Sequence, residues 1–298
     1  MAVERVLELD MDRVPANPRT EIVTAFFRHR TAMAGLFGLI ALIVLSTLGP
    51  SVVGHDPTAT DILAIYASPS SSHLLGTDQL GRDLLTRLLY GGRVSLLVGL
   101  MATLMATVIG CAYGVFSGMA PKWLEYPMMQ LLDALHAIPV ILLVIVSEVF
   151  GESSLIKMVL VIGLASWMGI ARMARTECRR LMEADFVKGA IVAGASPTRL
   201  VFRHLLPNMF APLIVVVTVG IGQAILLEST LSFLNLGVPT TVPSWGNLLG
   251  NGMSSVLGGA WWTVLFPGIM IVLTVLSMNL VGDGLRDLID PKNRSIGS

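Results

Sequence analysis

Six stretches of this chain are apolar for long enough to cross a hydrocarbon core, which takes roughly 20 residues of helix. They run near Ala32–Val53, Val94–Gly118, Pro127–Phe150, Leu155–Met173, Met209–Leu234 and Trp261–Leu280. Backbone groups in lipid must bond within their own segment, so the pattern predicts an all-α membrane protein with six transmembrane helices. Between and around them the chain is more polar: a tail over residues 1–31 with Pro15 and Pro18, loops over 54–93 and 235–260, an interruption over 181–208, and a tail over 283–298. In the 54–93 loop, Asp78/Arg82 and Asp83/Arg87 are spaced i, i+4 among Leu80, Leu84, Leu85, Leu88 and Leu89. This spacing predicts an amphipathic helix against the bundle at the membrane surface.

The interruption reads LMEADFVKGAIVAGASPTRLVFRHLLPN from Leu181 to Asn208 and carries Lys188, Arg199, Arg203 and His204. It predicts two short helices joined by a turn. Gly194 ends the first, because glycine accepts the left-handed conformation at a helix C-terminus. Ser196 caps the second, with Pro197 at its first position, where no backbone donor is needed. A structured elbow between membrane spans suits docking to a soluble partner. The bland reading is an interfacial helix lying on lipid headgroups.

Composition agrees with a bilayer as solvent. The chain is 54% hydrophobic and 13% charged, where a soluble domain carries roughly 25% charged residues, and its mean hydropathy is +0.75. The net charge is zero, but its distribution is uneven. With six spans both termini share a side, and sixteen of the 20 Lys and Arg fall there; only Arg82, Arg87, Arg93 and Lys157 fall on the other. The positive-inside rule therefore predicts cytoplasmic N- and C-termini and a cytoplasmic elbow. The first apolar run lacks a small-residue cleavage site and reads as a retained anchor. Cys111 and Cys178 have neither disulfide nor metal-ligand spacing. Gly110, Gly114 and Gly118 form a small-residue stripe, for packing within the chain or at a subunit interface.

No GxxxxGK[ST], HExxH, CxxC or GxSxG occurs in the chain. Work against a gradient would therefore draw on a nucleotide hydrolysed elsewhere.

The elbow resembles the cytoplasmic EAA loop of ABC-importer permeases: Glu-Ala-Ala, three residues, Gly, nine residues, then Ile-x-Leu-Pro. Gly194 stands at the glycine and Leu206-Pro207 at the closing pair, while Lys188-Gly189-Ala190 replaces Glu-Ala-Ala and His204 replaces Ile. LLGTDQLGRDLLTRLLYGGRVSLLVG (Leu74–Gly99), ESTLSFLNLGVPTTVPSWGNLL (Glu228–Leu249) and MNLVGDGLRDLIDP (Met278–Pro291) resemble signatures of the dipeptide, oligopeptide and nickel permeases. By resemblance the chain is the C-type permease of such an importer. The resemblance implies a five-span type I (MetI-like) core over 94–282 plus one added N-terminal helix over 32–53. It implies a non-catalytic subunit of a bacterial or archaeal cytoplasmic membrane that forms half of an alternating-access path. Its partners would be a homologous permease, two cytoplasmic ABC ATPases carrying ATP and Mg, and an extracytoplasmic peptide-binding protein. No cofactor, metal or nucleic acid is expected on this chain. The coupling residues would be Lys188, Gly189, Ala190, Gly194, Ser196, Pro197, Arg199, Leu206 and Pro207, with Ile191, Leu200, Val201 and Phe202 as an apolar knob.

Charged groups inside spans usually face protein or water. Asp133 and His136 share a helix face before Pro139; they line the path, or pair with each other or with a partner subunit. Glu228 serves a gate or a peptide amine, or pairs with a neighbouring helix. Glu148 reads as solvated near the outer interface. Ser244 and Trp245 fall in a turn, with Trp245 as a belt residue, and by resemblance this turn belongs to the outer mouth. The 54–93 helix would also suit contact with the binding protein. Peptides are the expected cargo. Nickel and glutathione remain alternatives, nickel being weakened because His136 is the single histidine deep in a span. A secondary transporter is a rival of a different class, though no internal repeat supports it. An intramembrane enzyme with Asp133 and His136 as acid and base lacks a nucleophile, a second carboxylate or a metal cluster.

Overall fold

Apolar segments of this length satisfy their backbone in lipid only by coiling, and helices make up most of each of them in the computed structural model, which describes residues 26–27, 29–54, 56–148 and 153–289. The helices are α1 (Arg30–Val53), α2 (Leu84–Met119), α3 (Lys122–His136), α4 (Val140–Glu148), α5 (Leu155–Met182), α6 (Asp185–Val192), α7 (Pro197–Phe233), α8 (Trp245–Met253) and α9 (Trp262–Ile289). Among the described residues there is no strand, only an isolated bridge between Thr77 and Asp83. Helices α1, α2, α5, α7 and α9 are long and apolar enough to cross a membrane. The pair α3 and α4 makes a sixth crossing when taken together, but it is bent by 73°.

That bend corrects the continuous helix expected over Pro127–Phe150. Pro139 has no N–H and disfavours helical backbone at Ile138. The end of α3 accordingly tightens, with the Ile138 N–H turning to the Leu135 carbonyl at 3.2 Å.

The amphipathic helix expected inside the 54–93 loop is likewise not a separate element. A single helix starts at Leu84 and runs 36 residues, about 54 Å at 1.5 Å per residue. Asp83 caps it, accepting from the Thr86 N–H at 2.8 Å. Leu84, Leu88 and Leu89 are buried against the bundle, as the apolar face of that helix was expected to be. Of the two i, i+4 ion pairs, Asp78 with Arg82 forms at 2.7 Å, in a turn and not on a helix. Arg87 instead reaches Asp78 at 3.4 Å and the Pro57 carbonyl at 3.1 Å.

The largest helix–helix contact is between α2 and α5, and the glycine stripe makes it. A Cβ on Gly110 would lie 2.7 Å from the Trp167 carbonyl, and one on Gly114 would lie 2.4 Å from that of Ala171. The stripe therefore serves packing within this chain. Helix α1 lies against α9 and α2. Inside α1, Pro50 cannot donate to the Ser46 carbonyl; Arg93 of α2 donates to it through Nε at 2.9 Å. His29, capping α1, meets Asp287 near the end of α9 at 3.3 Å, so the two ends of the described chain share one face of the bundle. The side chain of Glu148, residues 1–25 and 28 of the first tail and residues 290–298 of the last lie outside the described residues.

Candidate functional site

The elbow is built from local chemistry. Helix α6 closes with Gly194 at φ +80°, the Gly194 N–H bonded to the Ile191 carbonyl at 2.9 Å and the Ala195 N–H to that of Ala190 at 3.0 Å. These two bonds are a Schellman closure. Ser196 Oγ then accepts from the Arg199 N–H at 3.3 Å, with Pro197 opening α7. The turn is as expected, but the second helix is not short. It continues from Pro197 into a 37-residue helix ending at Phe233. Leu200–Leu205 is a π-turn, in which the Leu206 N–H reaches the Val201 carbonyl. Pro207 explains it: a missing donor opens the ladder, and the wider turn absorbs the ring. Asn208 Nδ2 bonds the His204 carbonyl at 2.6 Å beside the defect.

Val187, Leu200, Leu205 and Met209 bury the elbow into one cluster with Ala174, Cys178 and Leu181 of α5. Of the expected knob, Ile191 and Phe202 are exposed, but Leu200 is core and Val201 half-buried. The apolar outer face also includes Phe186 and Val192, the latter 89% exposed. Sequence reading passed over both, because an apolar residue on a short helix is assigned inward by default. Lys188, Gly189, Arg199, Arg203 and Pro207 are exposed; Ala190 and Leu206 are half-buried. The result is a rigid knuckle with an apolar tip and a basic rim, joined without a break to a span.

The three path candidates do not converge. Asp133 is 65% exposed and bonds Arg172 of α5 at 2.7 Å. His136 is exposed at the last position of α3 and does not bond Asp133. Glu228 is fully buried. Ser95 donates to its Oε2 at 2.9 Å, Ser232 to Oε1 at 2.8 Å and Ser229 to Oε2 at 3.3 Å. Ser95 Oγ in turn accepts the Trp245 N–H at 3.2 Å. Glu228 thus ties α2, α7 and α8 together.

Trp245 is corrected too. It is fully buried, not a belt residue, and its Nε1–H bonds the Leu88 carbonyl at 2.9 Å. Ser244 caps α8 through the Asn247 N–H at 3.2 Å. Nearby, His73 Nδ1 meets Asp83 Oδ2 at 3.0 Å. Burial works against the charge on Asp83, yet the Thr86 N–H, His73 and the Thr86 hydroxyl hold its carboxyl below the ordinary aspartate value. Sequence reading also missed Glu125 of α3, a buried carboxylate held by Arg175 and Arg179 of α5. Its only trace in the sequence is a lone acid at the head of a span, opposite a basic run 50 residues on.

Comparison with known proteins bears on this geometry. Residues 106–295 match a family described as "Binding-protein-dependent transport system inner membrane component". Residues 17–69 match the "N-terminal TM domain of oligopeptide transport permease C". A putative peptide transport system permease protein of Brucella abortus biovar 1 (strain 9-941) is 38% identical over 96% of both chains. The dipeptide transport system permease protein DppC of Bacillus subtilis (strain 168) is 36% identical over 90% of this chain and 83% of its own. A chain from a structure of inward facing conformations of the MetNI methionine ABC transporter superposes with a TM-score of 0.57 at 18% identity, covering 68% of this chain and 97% of that one. This last likeness concerns the fold alone.

Proposed function

The chain belongs to the binding-protein-dependent transport system inner membrane components, among the peptide and dipeptide permeases, and from that premise we propose that it forms one half of the membrane path of an ATP-driven peptide importer. The observation that carries the coupling part of this reading is the elbow: a capped, buried-rooted knuckle with Phe186, Ile191, Val192 and Phe202 exposed at its tip. A soluble ATPase docking there would bury that tip, with Lys188, Arg199 and Arg203 on the rim. Because α7 starts inside the elbow, a displacement of the knuckle is passed to a membrane span. The π-turn before Pro207 is the place where that helix yields first.

The second part of the proposal concerns the path. The broken pair α3 and α4 leaves irregular backbone at membrane depth, which is tolerated where it meets protein or water. Asp133 and His136 of α3 and Arg172 of the neighbouring α5 are polar and accessible. We assign them to the water-facing or partner-facing side of the chain, and assign Glu228 a structural role. In this reading a homologous permease supplies the other half of the path. Two ATPases carry ATP and Mg, an extracytoplasmic binding protein delivers peptide, and the elbow and both termini lie in the cytoplasm of a bacterial or archaeal cell. This chain itself performs no chemistry.

The test is co-purification of the tagged full chain in mild detergent, with mass spectrometry of all that comes with it. A second permease and ATPases are expected to come with it, and the ATPases alone to be lost when Val192 and Phe202 are both changed to Asp. A chain that purifies alone and transports alone after reconstitution overturns the reading.

A further inference from the structure

Where α3 leaves the basic end of the bundle, Lys122, Glu125, Tyr126, Met129, Arg175 and Arg179 line an open cleft of about 390 Å³. Its charges do not cancel. Glu125 is buried with both carboxylate oxygens engaged, one by Arg175 and the other by Arg179. Lys122 pairs with no carboxylate among the described residues, and the buried Nε of Arg179 has no hydrogen-bond partner. One acid against three cations leaves the cleft with a net positive charge.

Depth identifies which anion. A hydrocarbon core of about 30 Å spans 20 residues of helix. Counted from Leu155 at the start of α5, that distance ends at Arg175. Arg179, one turn further, stands in the headgroup layer. Trp123 and Tyr126 of α3 are exposed beside the cleft, the level at which aromatic residues anchor to a membrane interface. The surplus positive charge is on the side that the Lys/Arg distribution assigns to the cytoplasm, where anionic lipids attract such residues.

We propose that this cleft binds the phosphate of an anionic phospholipid headgroup. Lys122 and Arg179 supply the charge. Glu125 holds the two guanidiniums in register, and Tyr126 and Trp123 lie against the glycerol and the upper chains. The lipid would bridge α3 to α5 at the foot of the broken span. This inference stands on the cleft and does not depend on the identity of any cargo.

The full chain, with whatever subunits accompany it, is placed in phosphatidylcholine nanodiscs with a minor fraction of phosphatidylglycerol, and retained lipid is counted by native mass spectrometry. Phosphatidylglycerol is expected to be retained over phosphatidylcholine. Removing one surface cation weakens such attraction by about five-fold, so Lys122→Gln and Arg179→Gln should each lower retention by that factor. Arg286→Gln, an exposed cation at the same end, should not. Lys122 is itself exposed, so its variant keeps the test sound if Arg179→Gln disturbs folding. Equal retention of the two lipids, or a Lys122→Gln variant indistinguishable from Arg286→Gln, overturns the proposal. So does bound inorganic phosphate without retained phosphatidylglycerol, or a cross-link from Lys122 to an acidic residue of a partner subunit.

Discussion

At the scale of single residues, the buried polar groups separate structure from function most clearly. Glu228 is enclosed by Ser95, Ser229 and Ser232, so its fate on mutation is a matter of hydrogen bonding. Glu228→Gln keeps a polar group of the same shape and is expected to leave thermal stability in detergent nearly unchanged. Glu228→Leu strands buried hydroxyls and should destabilise by about 1–3 kcal/mol, read as a lower unfolding temperature. Asp83 permits a statement about pH. Its carboxyl is lowered in the folded chain, so the stability it contributes is in full force above the ordinary aspartate value near 3.9, and it is lost as pH falls through the lowered value. Protection against hydrogen exchange at Thr77–Thr86, taken relative to the unfolded-chain rate at each pH, should therefore hold from neutral pH down to about 4 and fall below it. His73→Ala removes one of the groups lowering the carboxyl, so it should shrink that loss and complete it at a higher pH. A loss of unchanged size would show that the Thr86 bonds suffice alone.

At the scale of elements, glycine position decides which helices exist and how closely they meet. Gly194→Val forces a β-branched side chain into left-handed backbone, at a cost of about 1–2 kcal/mol. The expected outcome is an intact bundle with weaker ATPase association, measured by pull-down. Gly114→Leu has the opposite signature. Its Cβ alone would lie 2.4 Å from the Ala171 carbonyl, so α2 and α5 must separate, with a loss of about 1–3 kcal/mol from overpacking and a lower yield of folded protein. Both glycines were prominent in the sequence, for different reasons. The elbow closure needs only its own neighbours, so its caps were readable from residues 190–199. The stripe showed that two helices approach, while its partner, α5, was decided by the fold.

At the scale of the whole molecule, the chain is a bundle whose two described ends share a face, with the basic residues concentrated there. Cysteine labelling of intact cells tests its orientation. Reagents that stay outside should reach a cysteine placed at Leu63 or Leu257, both almost fully exposed, and should not reach one placed at Val192. The reverse pattern would invert the proposed topology. The sequence by itself determined the apolar spans, the basic end, the Schellman turn and the serine cap, because each depends on composition or on groups within a few residues. Only the tertiary structure decided that the leucine-rich stretch runs on into α2, that the third window is bent at Pro139, and that Trp245 and Glu228 are sealed inside. Those outcomes rest on partners far along the chain: Ser95 meets Glu228 across 133 positions and Leu88 meets Trp245 across 157. A polar or aromatic residue carries no local sign of such a partner. Whether it faces lipid, water or core is set by which helix arrives opposite it, and that is a property of the packed bundle.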